Sequence, residues 1–337
     1  MGLVLSMTLL SGCSSSDTSP GDDSANASPT PTSTHMALPE GWSWVEGTDI
    51  PSVTADPQLP TTVTDGTGTS VTVTDVSKVI VGGEDIADIM AAMGLADDVY
   101  AAPTNSVAEA ATSAPVQYEY SQKTGTEGLL SVDGSLFIGN QLQRHSGVAG
   151  QFRDAGVPAV VVDNKLSVPD KIRAVGSYIG DAEAGEQLAD AVQTQLDEAN
   201  ASAADSSVQS LRVLVVTATG AGGQNSVVGS GTAAADIVSA VGAIDVGVEM
   251  GLTGYSVEYS DEGLLQAAPD VIVMGDGDLE AWGGLEGFEA AFPTLATTPA
   301  GQSNRYIVMP SEQIKVSGAG TGAGAQALAE ALAAIEK

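Results

Sequence analysis

Apolar residues recur along the chain in two alternating rhythms. Short unbroken runs read as buried strands. They are Lys78-Val-Ile-Val-Gly-Gly83, Leu136-Phe-Ile-Gly139, Gly156-Val-Pro-Ala-Val-Val-Val162, Leu211-Arg-Val-Leu-Val-Val-Thr217 and Val271-Ile-Val-Met-Gly275. Between them the apolar positions return every three or four residues. Ile86, Ile89, Met90 and Met93 mark one helix over 84–94, and 146–155, 232–241 and 326–337 mark others. Strands alternating with helices predict parallel α/β architecture. Ahead of them, Asp65-Gly66-Thr-Gly68 between Thr/Val-rich runs predicts a hairpin with a returning strand from Ser70.

One stretch departs from this texture. From 168 to 203 almost no breaker follows Pro169, and Ile172, Val175, Ile179, Ala184, Leu188, Val192 and Leu196 hold helical spacing. A single helix of roughly thirty residues is long against a mean of about eleven or twelve. The α/β rhythm then resumes, so the layout is lobe, long helix, lobe. The halves also echo each other. Glu127-Gly-Leu-Leu and Glu262-Gly-Leu-Leu each precede a strand, which suggests related lobes or a common helix start. The reading is two Rossmann-like α/β lobes joined by one long backbone helix, with a ligand cleft between them. Its segments are 1–13, a signal remnant; 14–37, a tether; 38–74, a β-rich N-terminal segment; 75–167, the first lobe; 168–203, the linking helix; and 204–337, the second lobe.

Composition sharpens the picture at both ends. Residues 14–37 are Ser, Thr, Pro, Asp and Ala with almost no large apolar side chain, so ordering entropy has nothing to offset it. His35 lies there and is not expected to be structural. Before it, a short apolar run ends in Leu10-Ser-Gly-Cys13, which resembles the end of a secretory signal and a bacterial lipobox. Cys13 is the single cysteine of the 337 residues, which excludes an intramolecular disulfide and makes it the lipidation candidate.

Charge narrows the partners. Eleven Lys and Arg against 43 Asp and Glu give −32, which excludes nucleic acid or an anionic lipid surface as the main electrostatic partner. Charged residues are only 16% of the chain, so the imbalance reflects missing lysine more than surplus acid. No Gly-x-Ser-x-Gly elbow, His-Glu-x-x-His or P-loop occurs, and no enzyme is expected. The glycines at 220–223 lack a following Lys-Ser/Thr and read as a turn.

The order of these features resembles the substrate-binding lipoproteins of ATP-binding cassette importers for haem, corrinoids and ferric siderophores. The resemblance covers about 75–337 and is carried by the lobe–helix–lobe layout, the paired Glu-Gly-Leu-Leu, Gly156-Val-Pro158, Gly231-Thr232 through Gly242-Ala243, and Ala268-Pro269-Asp270. It implies that Glu127 and Glu262 dock on permease arginines, where bidentate contacts fix orientation. A helix-start role for each Glu, favoured by the helix dipole, is the alternative. It also implies a lipid-anchored, extracytoplasmic monomer serving a permease and its ATPase.

The cargo turns on few residues. Outside the tether the chain has one histidine, His145, expected in a loop after a first-lobe strand. Haem-specific members, the HmuT type, oppose a first-lobe histidine to a second-lobe tyrosine, which implies His145 and Tyr255 as axial ligands. Imidazole and phenolate both suit ferric iron. Tyr120 is the alternative ligand, with Tyr259 and Met250 behind it. No arginine follows Tyr255 closely. For the haem propionates Arg144 is the leading cation, with Lys123, Lys165 and Arg305 as others. A ferric siderophore or a corrinoid in the same fold is the alternative cargo. Trp42, Trp44 and Trp282 receive no role.

Overall fold

The strand-forming runs assemble into two separate sheets. A computed structural model describes residues 38–119, 126–204, 207–218 and 224–335, without the side chains of Thr126 and Glu127. The expectations placed on Cys13, Tyr120, Lys123 and 220–223 lie outside the described residues. The first sheet runs Val116–Tyr118, Val99–Pro103, Val79–Val81, Leu136–Gly139, Ala159–Val161, all parallel. Burial on both faces explains its unbroken apolar runs. The strand at 99–103 escapes the periodicity because Val-Tyr-Ala-Ala-Pro is weak in β-branched residues, and that at 116–118 because three residues carry no period.

The second sheet is mixed. Its order is Trp42–Trp44, Tyr306–Met309, Val271–Gly275, Arg212–Thr217, Ser226–Val228, Tyr255–Ser256, with Ile244–Asp245 also on Arg212–Thr217. The last two steps of the main path, from Arg212–Thr217 to Ser226–Val228 and on to Tyr255–Ser256, are antiparallel. They bring Tyr255 back along the sheet edge. The hairpin pairs Thr61–Thr64 with Ser70–Val73 as expected, and Asp65 fills its turn by accepting from the amides of Thr67 and Thr69.

The expected single helix over 168–203 is two helices, Val168–Tyr178 and Ala182–Ala204. Gly180 between them has φ +89, open to glycine at little cost, and Asp181 Oδ1 accepts from Ala184 N at 3.0 Å to start the second helix. The helices then lie against each other. A Cβ on Gly176 would stand 2.5 Å from the Gly185 Cα, so two glycines permit the contact. Arg173 adds ion pairs to Glu186 and Asp190 across the pair, exposed and therefore worth little each.

The second helix still spans the lobes. Ala184, Leu188, Ala189 and Val192 enter the first core, while Ala199 and Ala203 enter the second. Two other segments cross with it. The chain leaves Trp42–Trp44 in the second sheet and reaches the first lobe at Val53 and Ala55, whose amides donate to the carbonyls of Ala92 and Met93. Near the end, Val316 and Ala319 bury in the first core before Thr321–Ala333 packs in the second. Among the described residues no helix is long and apolar enough to cross a membrane.

Candidate functional site

A cleft of about 600 Å³ opens between the lobes at the carboxyl ends of first-sheet strands, where open α/β sheets place ligands. Val79–Val81 delivers Gly82, Gly83, Glu84 and Asp85 to its wall, and Leu136–Gly139 delivers Asn140, Gln141, Arg144 and His145. The second lobe contributes Gly231 to Ala233, Asp236 and Tyr255, with Lys315 and Ser317 from the late crossing segment. His145, Arg144 and Tyr255 therefore line one cavity. Tyr259 does not; it stacks on Phe292 within the second lobe. Met250 packs against the same apolar cluster. Arg305 is also absent from the cleft wall, whereas Lys165 is on it.

His145 stands on a helix rather than in the expected loop. The helix Leu142–Asp154 begins four residues before the predicted start at Ser146. His145 is buried, with 1% of its surface exposed, and its ring meets Phe137 edge-on at 5.8 Å. Two glycines make the room. A Cβ on Gly139 would lie 2.5 Å from His145 Cβ, and one on Gly82 would lie 3.0 Å from Cε1. Nδ1 accepts from the amides of Asn140 at 3.1 Å and Gln141 at 3.2 Å, satisfying donors that the helix start leaves without internal partners. Burial, reinforced by the Arg144 charge and opposed by Asp85, pushes the imidazole pKa down to about 4. The ring is neutral at ordinary pH.

Tyr255 is half-buried, and its hydroxyl donates to the Lys315 carbonyl at 3.4 Å. Burial first, then the Glu84, Asp278 and Asp85 carboxylates, hold its phenol pKa above the ordinary value. Around these two residues lies a polar floor that sequence reasoning misses. Lys171 Nζ donates to Asp85 Oδ2 at 2.9 Å and to the Ser317 carbonyl at 3.2 Å. Asp85 Oδ1 accepts from Asn140 Nδ2 at 2.7 Å. Lys315 Nζ donates to Asp278 at 3.0 Å and Thr217 at 3.2 Å. Glu84 accepts from the amides of Val107 and Ala108, and burial raises its pKa.

The cleft also gathers the scarce cations. Arg144, Lys165, Lys171 and Lys315 line it against Glu84, Asp85 and Asp236. In a chain of −32 with only 11 Lys and Arg, that near-balance is a local exception. Among the described residues no cluster of three or more His, Cys, Asp or Glu fits a metal ion. The tryptophans stay away from the wall: Trp42 stacks on Tyr306 at 4.2 Å, and Trp282 packs edge-on against Phe288 at 5.3 Å.

Glu262 is exposed in the first turn of Asp261–Ala267, whose N-cap Ser260 accepts from Gly263 N at 3.0 Å. Glu127 falls in the helix Thr126–Leu130, but its side chain lies outside the described residues.

A mixed α/β fold of two sheeted lobes with a cleft between them defines a solute-binding protein. Residues 79–313 match the periplasmic binding protein family, and the chain belongs to it. Solved structures agree. The chain is 28% identical to the heme binding protein HmuT, with a TM-score of 0.72, 88% of this chain and 98% of that one being covered. It is 27% identical to the periplasmic heme-binding protein RhuT from Roseiflexus sp. RS-1, with a TM-score of 0.66 over 77% of this chain and 98% of that one. Periplasmic heme-binding protein BhuT, solved in complex with two hemes, is also 27% identical, with a TM-score of 0.63 over 76% of this chain and 97% of that one. No curated protein matches the chain.

Proposed function

We propose that this chain binds ferric haem between its lobes and passes it to the permease of an ATP-binding cassette importer. His145 and Tyr255 serve as axial ligands and Arg144 as a rim cation for a propionate. The observation that carries this reading is that His145 and Tyr255, from opposite lobes, line the same cleft of about 600 Å³. The heme-binding character of similar structures supports the cargo. Neutral imidazole and phenolate form a donor set suited to ferric iron, and the phenolate favours that oxidation state. A protein tethered outside the membrane through a lipidated Cys13 completes the proposal, with Glu127 and Glu262 docking on the permease.

Titration with ferric haem tests it. A Soret band with tyrosinate charge-transfer features is expected, changed in His145→Ala and in Tyr255→Ala. No spectral change on adding haem overturns the reading, and tight binding of a ferric siderophore or corrinoid instead replaces the cargo. For docking, Glu127→Ala with Glu262→Ala is expected to abolish uptake while leaving haem affinity unchanged.

A further inference from the structure

The turn between the strand Ala159–Val161 and the helix Val168–Tyr178 takes no part in the polar floor, yet it puts Asn164, Lys165 and Leu166 on the cleft wall. Its backbone is held. Asp163 Oδ1 accepts from the Lys165 amide at 3.0 Å, an Asx turn. Asn164 Oδ1 accepts from Leu142 N at 3.4 Å, which ties the turn to the helix that carries Arg144. The side chains of Lys165 and Leu166 both remain exposed.

Each is an exception in this molecule. Lys123 and Lys337 lie outside the described residues. Lys78, Arg153, Lys171, Arg173, Arg212 and Lys315 pair with carboxylates, and Arg144 and Arg305 also engage neighbours. Among the described residues Lys165 is the one cation whose side chain has no partner. The nearest carboxylate in sequence, Asp163, is turned onto its amide instead. A chain with 43 Asp and Glu leaves few places where a lysine escapes pairing. Leu166, 38% exposed, is likewise one of the few large apolar residues left uncovered among the described residues. The others, Val248, Val257 and Leu265, are not on the cleft wall.

The other charges of the wall leave this edge to an anion. Lys171 and Lys315 are turned onto Asp85 and Asp278, with side-chain exposures of 6% and 12%. Glu84 and Asp236 add negative charge and disfavour an anion beside them. An unpaired cation next to an uncovered leucine fits an amphiphilic anion, a carboxylate carried on an apolar ring.

We propose that the Asp163–Leu166 turn seats the carboxylate edge of the cargo: Lys165 pairs with one haem propionate, Leu166 covers the adjoining rim of the macrocycle, and Arg144 on the neighbouring helix takes the second propionate. Haem carries both carboxylates on one edge, so the seat fixes which way round it enters. The uncharged edge is left to the rest of the cleft. The inference rests on the haem reading but not on which residues ligate the iron.

Affinities for ferric haem and for its dimethyl ester, in which both carboxylates are blocked, test the seat when measured in the same detergent. Lys165→Gln is expected to weaken haem binding about fivefold, as for an exposed ion pair, and to leave the ester unchanged. Lys165→Arg is expected to keep the wild-type affinity for both. Leu166→Ser should weaken haem and ester alike, because it acts on the ring and not on the charge. Equal losses for haem and ester in Lys165→Gln, or no loss for either, overturn the seat while the haem reading stands. So does a Leu166→Ser variant that binds both as the wild type does. Failure of the wild type to bind either compound overturns the haem reading, and the seat with it.

Discussion

Lys171 and Asp85 form a buried ion pair at 2.9 Å, with side-chain exposures of 6% and 10%, in the cleft floor. Each charge depends on the other because little water reaches either. Breaking such a pair leaves one uncompensated charge and costs about 3–5 kcal/mol, whereas removing both is far milder. Lys171→Met is therefore expected to lower unfolding free energy by about that amount in urea titrations. Asp85→Leu added to it restores part of the loss, though Asn140 Nδ2 then loses its acceptor. If the double variant is as unstable as the two single losses summed, the pair is not coupled as described.

Asp88 gives a second handle on the lobe boundary. Its Oδ2 accepts from Ala319 N at 2.6 Å, and burial, reinforced by Glu312, raises its pKa to about 7. A carboxyl raised in the folded state binds its proton more tightly there than when unfolded. Its contribution to stability is thus full below the unfolded pKa of about 4 and is lost as pH rises towards 7. Asp88→Asn keeps an acceptor for Ala319 N and removes the titration. Between pH 4 and 7 the wild type is expected to lose stability relative to this variant, by at most about 1.4 kcal/mol per pH unit. Parallel stability profiles for the two proteins would contradict the assignment.

Gly139 tests the seat of His145. A Cβ at 139 lies 2.5 Å from His145 Cβ, so Gly139→Ala must displace the helix start or the ring. A loss of about 1–3 kcal/mol is expected, as for other overpacked sites. Haem added to this variant should give a spectrum like that of His145→Ala. An unaltered spectrum would contradict either the displacement or the ligand role proposed for His145.

Charge predicts an unusual salt response. The protein carries −32 and haem brings two carboxylates, while the cleft itself is nearly balanced. Long-range repulsion acts on encounter and is screened by salt, whereas the cleft contacts are short-ranged. The association rate of haem is expected to rise between 10 mM and 200 mM salt, in stopped-flow measurements. Arg144→Glu should slow association further and raise the dissociation rate.

Much of this fold is legible in the sequence, for identifiable reasons. Leu136–Gly139 and Val271–Gly275 are read to the residue because both faces are buried and the apolar run has no gap. The helix break is missed because the apolar stripe continues through it. The signal is nevertheless present: the stripe steps by five from Ile179 to Ala184, over Gly180-Asp181, a glycine stop followed by an aspartate cap. His145 and Tyr255 are singled out by the resemblance to a family that opposes a first-lobe histidine to a second-lobe tyrosine, and both line the cleft. Lys171, Asp85 and Lys315 are not, since their roles come from partners 86, 86 and 37 residues away in the chain. Nothing local marks a lysine as the one that will be buried.

Three crossings between the lobes have a consequence for how the molecule comes apart. A protease that cuts once within 46–52 would separate Trp42–Trp44 from the first lobe in sequence, yet that strand would stay hydrogen-bonded to Tyr306–Met309. A cut at the Gly180 turn would likewise leave two other connections intact. Limited digestion should therefore yield nicked protein that migrates as an intact particle until denatured, and neither lobe, released by a single cleavage, is a separable fragment.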